Sequence, residues 1–157
     1  MSSRNPKDLR QDCFEKWERF DAAMKKAGIP YILTCTARLV KEQIAYFAQG
    51  RQPLSEVNRL RKIVGLPPLT ADQNKKKITW TLNSKHLVDL EDESIGNDKA
   101  RAFDIAICKN GTPTWDVKAD VNKNNKKDYM EAGVIGESVG LKWGGRFKSP
   151  DWVHFEV

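Results

Sequence analysis

The sequence is short of the residues that most often announce a site, with two histidines and three cysteines among 157 residues. Cys13, Cys35 and Cys108 are odd in number and far apart, with no Cys-x-x-Cys spacing. That excludes a disulfide framework and a thiolate metal cluster, and leaves the cysteines as core filling. No apolar run approaches the roughly 18 residues of a membrane span, so no stable membrane association is expected. Met1 to Arg10 is polar where a secretory signal would carry an apolar stretch, so the protein is expected to be made and stored in the cytosol. There is no internal repeat and no low-complexity tract. The length suits one domain over residues 1–157, able to bury roughly 70% of the surface its unfolded chain would expose.

Charge is unevenly spread. Residues 1–80 carry 16 Lys and Arg against 8 Asp and Glu, whereas residues 81–157 carry 11 against 13. The basic half could meet a polyanion, and nucleic acid or an anionic cell-wall polymer would both qualify. The alternative is a solvated basic surface. Against nucleic acid stands the lack of a recognisable binding motif and of interleaved aromatic and basic residues.

Phe14, Trp17, Phe20 and Met24 recur at helical spacing, which predicts an amphipathic helix over about residues 8–27, within an N-terminal segment 1–30 and ended by Gly28 and Pro30. Tyr31 to Thr36 reads as a short buried strand. A second helix is expected from Leu39 to Ala48, and a third, capped by Ser55, up to Val64. Alternation over Ile78 to Leu82 predicts a strand delivering Ser84 and His86 at its end. Residues 87–99 are acidic and read as a loop insertion. Ala102 to Ile107 reads as a strand, Glu131 to Val139 as a helix, Gly144-Gly145 as a turn, and Trp152 to Val157 as a closing strand. Helices first and strands mostly later imply an α+β fold, a small antiparallel sheet with helices packed on one face.

The two histidines, His86 and His154, flank an aspartate, Asp104, that opens an apolar strand. Two imidazoles and one carboxylate are the three-ligand set of a hydrolytic zinc site, which keeps its remaining position open. Two surface or core histidines are the alternative. Asp151, three residues before His154, is a candidate general base, against the plain alternative of a turn aspartate after Pro150. Glu156 competes as the base, or orients the His154 imidazole from the same strand face. Arg38 could hold a substrate carboxylate or stabilise a developing oxyanion.

Taken together, Ser84-x-His86, Ala100-x-Ala102-x-Asp104, Gly140-Leu141-x-Trp143-Gly144-Gly145 and Asp151-x-x-His154-Phe155 resemble the phage-type L-alanyl-D-glutamate peptidases. These endolysins are related to the zinc D-alanyl-D-alanine carboxypeptidases and dipeptidases. Arg38-x-x-x-Glu42-Gln43 and Tyr46-x-Ala48-Gln49-Gly50-Arg51 match the family's N-terminal part, so the similarity runs from about Cys13 to Val157. The resemblance implies zinc on His86, Asp104 and His154, Asp151 as catalytic base, and Arg38 with Ser84 at the substrate. It implies cleavage of peptidoglycan stem peptides, at the L-Ala–D-Glu bond, for a phage or prophage in host lysis. The carboxypeptidase reaction on D-Ala-D-Ala is the alternative within the same superfamily. A monomer is expected, made in the host cytoplasm and reaching the wall after release through a holin-type partner. Two departures stand out: 17 residues separate His86 from Asp104 where the family has a short spacer, and Asp151-Trp152-Val153-His154 replaces Asp-x-Pro-His.

A second motif lies between the zinc ligands. Asp120, Asn122, Asn124, Asp128 and Glu131 stand at positions 1, 3, 5, 9 and 12 of an EF-hand-like calcium loop, and the Lys126 carbonyl would fill position 7. Asn125 replaces the usual glycine and three lysines dilute the charge; a polar turn is the alternative. A non-enzymatic calcium-binding module and a metal-dependent nuclease are the rival classes of function.

Overall fold

The computed structural model describes residues 2–88 and 99–157, so most of the acidic insertion at 87–99 lies outside the described residues. A 3-10 turn, Pro6–Asp8, leads into helix α1, Gln11–Ala27. The helix buries Cys13, Phe20 and Met24. It ends where Gly28 takes the left-handed conformation at φ 70° and donates to the carbonyls of Met24 and Lys25, the stop that Gly28 and Pro30 predict. Strand β1, Tyr31–Cys35, follows.

Helices α2, Val40–Ala48, and α3, Leu54–Ile63, pack on one another, and α3 meets the single turn α4, Ala71–Asn74. Pro53 rather than Ser55 occupies the cap position of α3. Proline presets φ and has no N–H to satisfy, so the helix starts two residues earlier than the serine suggests.

The strand expected over Ile78 to Leu82 does not form. Its backbone acceptors are taken by side chains: Gln43 Nε2 donates to the Thr81 carbonyl at 2.7 Å and Arg51 Nη2 to the Thr79 carbonyl at 3.0 Å. Ile78, Trp80 and Leu82 are exposed. Alternation there reflects an apolar surface on an irregular segment.

After the acidic stretch come β2, Ala102–Lys109, and β3, Thr112–Thr114. Helix α5, Asp128–Ser138, starts three residues before the expected Glu131. Strands β4, Lys142–Trp143, and β5, His154–Glu156, complete the set. The sheet is antiparallel in the order β1-β2-β5-β4, with β3 paired to the other part of β2. The architecture is α+β, as expected, and α1 and α5 form the helical layer that shares the core with the sheet.

Pairing in register puts Phe103 opposite Phe155 and Asp104 opposite His154. Because successive strand residues face opposite sides, the phenylalanines go to the core and the Asp–His pair to the other face. Phe20 of α1 lies against both rings, 5.5 Å from Phe103 and 4.9 Å from Phe155, while those two stack at 5.4 Å.

Helix α5 is seated by its glycines. A Cβ on Gly133 would stand 2.3 Å from the Trp143 ring, and one on Gly136 would stand 2.5 Å from the Phe155 ring. Glycine weakens a helix by about 1 kcal/mol relative to alanine, yet here it permits an approach no other residue allows. Gly136→Ala and Gly133→Ala should therefore destabilise the fold by about 1–3 kcal/mol despite the better helix propensity, read as a lower denaturation midpoint at unchanged slope.

Candidate metal centre

Three segments meet on the sheet face opposite the aromatic core. β2 supplies Asp104, β5 supplies His154, and the turn at residues 84–87 supplies His86. With no strand ahead of it, that turn is held by other means. Leu87 forms a parallel bridge with Arg38, the Arg38 N–H donates to the His86 carbonyl at 2.8 Å, and the Arg101 N–H donates to the Lys85 carbonyl at 2.8 Å. The Ser84 hydroxyl accepts from the His86 N–H at 3.3 Å. Ser84, expected near a substrate, thus also stiffens the turn that presents the imidazole.

The three expected ligand residues converge. His86 Nε2 lies 3.1 Å from Asp104 Oδ1 and 3.3 Å from His154 Nδ1, and His154 Nδ1 lies 3.0 Å from Asp104 Oδ1. Outer partners set the tautomers. His86 Nδ1 is 2.7 Å from the Thr36 carbonyl, which can only accept, so this nitrogen carries the hydrogen. His154 Nε2 is 2.9 Å from Glu156 Oε2 and does likewise. In the neutral rings both inward nitrogens are then lone pairs, facing a carboxylate oxygen. Three acceptors with no donor among them require a cation.

A metal ion fits that requirement. With tetrahedral bonds of about 2.0–2.1 Å, neighbouring nitrogen and oxygen ligands stand about 3.3 Å apart, the spacing seen here. Without a metal, protons must serve. Burial alone would lower the histidine pKa values, but the Asp104 charge and its hydrogen bonds prevail, raising His86 to about 10 and His154 to about 9. Asp104 is held far below the usual carboxylate range: burial opposes this, and the two imidazoles outweigh it.

Asp151 sits at the mouth, three residues before His154, on a turn docked to Gly144. Its N–H donates to the Gly144 carbonyl at 2.8 Å, and its own carbonyl accepts from the His154 N–H at 3.3 Å. A Cβ on Gly144 would fall 2.5 Å from the Asp151 carbonyl oxygen and 3.0 Å from the His154 Cβ. Trp143 Nε1 donates to the Trp152 carbonyl at 3.0 Å, closing the same junction. The Asp151 carboxyl is raised above its ordinary value, first by desolvation and then by the charge of Asp104, with His154 acting in the opposite sense. A carboxylate made more basic in this way is a better proton acceptor.

Arg38 follows β1 and lines a cavity of about 550 Å3 with Ser2, Arg4, Thr34, Cys35 and Tyr46. Its guanidinium is oriented by three partners: Nε donates to Ser2 Oγ at 3.1 Å, Nη1 to Gln43 Oε1 at 2.8 Å, and Nη2 reaches Cys35 Sγ at 3.4 Å. A more open hollow of about 670 Å3 between Asn58 and Pro68 contains none of these donor residues.

Cys35 departs from the core-filling role read from the sequence. Residues 31 to 33 pair with β2 in one register, but a bulge shifts the pairing so that Cys35, not Thr34, stands opposite Asp104. The extra residue turns its side chain to the metal face, where the Sγ joins the His86 and Asp104 donor atoms within 4.8 Å. Burial pushes the thiol up, but His86 and Arg38 outweigh it and hold it below its ordinary value. Gln43, which the sequence offers only as part of a motif with no role of its own, is a second addition. It is 1% exposed and links Arg38 to the segment at 79–81. The bulge and the link are long-range features without a local signature. The remaining predicted residues lie elsewhere: Asp120, Asn122, Asn124 and Lys126 on the loop before α5, and Asp128 and Glu131 in the first turn of α5.

Residues 98–157, which carry Asp104, Asp151 and His154, match the model of a family described as D-alanyl-D-alanine carboxypeptidase. The chain is also 27% identical over 154 residues to the peptidoglycan L-alanyl-D-glutamate endopeptidase CwlK of Bacillus subtilis (strain 168), covering 97% of this chain and 75% of that protein. The chain is thus similar to peptidoglycan peptidases over nearly its whole length, and to the family model over its C-terminal part. The chain also shares its fold with the Serratia marcescens L-Ala D-Glu endopeptidase ChiX, whose crystal structure matches with a TM-score of 0.57 at 14% identity, over 100% of this chain and 88% of that one.

Protons and metal compete for the same three acceptors, which makes the protein sensitive to pH in opposite senses. Folded-state histidine pKa values of about 10 and about 9 lie above the ordinary 6.5. The metal-free protein therefore keeps this stabilisation below pH 6.5 and loses it as the pH rises through 9 and 10. Thermal melts of metal-free protein should show the midpoint falling across that window, while zinc affinity measured by competition with a chromophoric chelator should rise.

Proposed function

We propose that the chain is a zinc-dependent peptidoglycan peptidase that hydrolyses the L-Ala–D-Glu bond of stem peptides and serves a phage or prophage in host lysis. The observation that carries this reading is the triangle of acceptor atoms from His86, Asp104 and His154, each edge 3.3 Å or less. The likeness to CwlK supplies the substrate class and the bond.

His86, Asp104 and His154 would hold the zinc. The ion supplies Lewis acidity, activating a water and polarising the scissile carbonyl. The chain's own residues do the rest. Asp151, raised by desolvation and by Asp104, takes the proton of the attacking water and hands it to the leaving amine. Arg38, held by Ser2 and Gln43, binds a peptide carboxylate as a fixed cation beside the cavity. The Thr36 carbonyl and the Glu156 carboxylate keep the two imidazoles in the tautomers that present their inward lone pairs. Ser84 supports the His86 turn at the substrate side.

In this reading the protein is made in the host cytoplasm and acts on the wall after release through a holin-type partner. No helix among the described residues is long and apolar enough to cross a membrane. The reading includes no nucleic-acid partner and treats the chain as a monomer. A second reading, removal of a terminal D-Ala, is favoured by the description of the matching family.

Mass spectrometry of purified peptidoglycan after digestion, with and without chelator, separates the readings. New peptides beginning with D-Glu, formed only without chelator, are expected. Released D-Ala would establish the carboxypeptidase instead, and unchanged wall fragments together with salt-sensitive DNA binding would support a basic nucleic-acid-binding protein. Asp151→Asn should lower kcat by about 10²–10⁴-fold while zinc content, measured by atomic absorption, stays stoichiometric.

A further inference from the structure

Between β3 and α5 the chain makes a loop rich in side-chain oxygens, several of which accept from the loop's own N–H groups. Asp120 accepts from two backbone N–H groups, Asn124 at 3.0 Å and Asn125 at 2.9 Å. Asn122 Oδ1 accepts from the Asn124 N–H at 3.3 Å, and Asn124 Oδ1 from the Lys126 N–H at 2.9 Å. The Asp128 N–H closes the loop on the Ala119 carbonyl at 2.8 Å, and Asn122 Nδ2 hooks it to the Ala27 carbonyl at the end of α1, at 3.0 Å. Asn125 takes the left-handed conformation at φ 64°, in the position where such loops use glycine.

The decisive feature is a buried carboxylate. Asp128 is 0% exposed; its Oδ2 accepts from the Val121 N–H at 2.6 Å, but its Oδ1 has no hydrogen-bond partner. Glu131 repeats the pattern one turn along: Oε1 accepts from Asn124 Nδ2 at 2.7 Å, while the buried Oε2 has no partner. Burial and the charges of Asp120 and Glu131 push the Asp128 carboxyl above its ordinary value, opposed by the Val121 N–H. Leaving such oxygens unpaired is costly, so natural sites complete them with an ion or a donor.

We propose that residues 120–131 bind a calcium ion through the side chains of Asp120, Asn122, Asn124, Asp128 and Glu131 and the carbonyl of Lys126. The donors are all oxygen, which selects a hard cation over zinc. Six donors on a bent, unpaired loop suit the larger and less directional calcium better than magnesium, which demands a tight octahedron. Lys123, Lys126 and Lys127 are exposed around the loop and dilute its three negative charges, which sets the dissociation constant at about 10⁻⁵–10⁻³ M. The ion has a structural reach beyond the loop. It joins Asp128 and Glu131, in the first turn of α5, to residues 120–124, and α5 carries the glycines on which Trp143 and Phe155 sit. Phe155 follows His154 and Trp143 precedes Gly144, so the ion braces the layer behind the metal centre.

The test needs no peptidase assay and is independent of the zinc reading. The 157-residue chain, with zinc present throughout, is titrated with calcium chloride and followed by isothermal calorimetry and thermal melting. The melting temperature should rise by about 5–10 °C when calcium reaches about 100 times its dissociation constant, with a smaller response to magnesium chloride at the same concentration. Glu131→Gln and Asp128→Asn should lose the calcium response and keep their zinc. In calcium-free buffer Asp128→Asn should melt no lower than the parent, because a neutral amide relieves an uncompensated buried charge. Should Asp128→Asn fail to fold, Asp120→Asn, at a half-buried position of the loop, is the substitute. Absence of heat and of any melting shift up to about 10 mM calcium, well above the expected range, an equal response to magnesium, or a full calcium response in Glu131→Gln would overturn the proposal.

Discussion

Two imidazole nitrogens and one carboxylate oxygen, all acceptors, are held within 3.3 Å of one another, and the rest of the structure serves that confrontation. Left to themselves the groups would move apart or take up protons. They stay because each is fixed from behind: His86 by the Thr36 carbonyl, His154 by Glu156, and Asp104 by pairing of β2 with β1 on one side and β5 on the other. A cation at the centre turns mutual repulsion into coordination, and ligands already in place lose little freedom when it arrives.

The backing extends through the sheet. Every residue on the metal face has a neighbour on the core face, so Asp104 and His154 are flanked by Phe103 and Phe155, which Phe20 locks from α1. Helix α5 completes the support by bringing bare backbone against Trp143 and Phe155 at Gly133 and Gly136. Gly144 plays the matching part at the mouth, where its missing side chain lets the Asp151 turn dock beside His154. Glycine here does not loosen the structure. It permits the closest approaches in it, so that large aromatic rings and the Asp151 turn share one small scaffold.

Much of the fold was readable locally. Helix α1 and its glycine stop, strands β1 and β2, helix α2 and the closing strand follow from period and punctuation. The failures have one origin. Ile78 to Leu82 alternate like a strand, yet Gln43 and Arg51, distant in sequence, take the backbone acceptors at Thr81 and Thr79 that a neighbouring strand would have used. Cys35 reads as a buried thiol, and only a register shift against β2 turns it toward the metal donors. Neither event leaves a trace in a local window, because each depends on which segment arrives as a partner.

By itself the sequence determined the chemistry available: two histidines, an aspartate opening an apolar strand, a carboxylate three residues before the second histidine, and an oxygen-rich loop. Residue type settles what can bind a proton or a metal, and that survives any folding. Tertiary structure decided which atoms face one another, which ring nitrogen is the lone pair, that a thiol stands at the edge of the centre, and that two carboxylate oxygens of the loop are buried without donors. Those outcomes rest on distances of a few ångströms between segments far apart along the chain, set by strand register and by the space glycine leaves open.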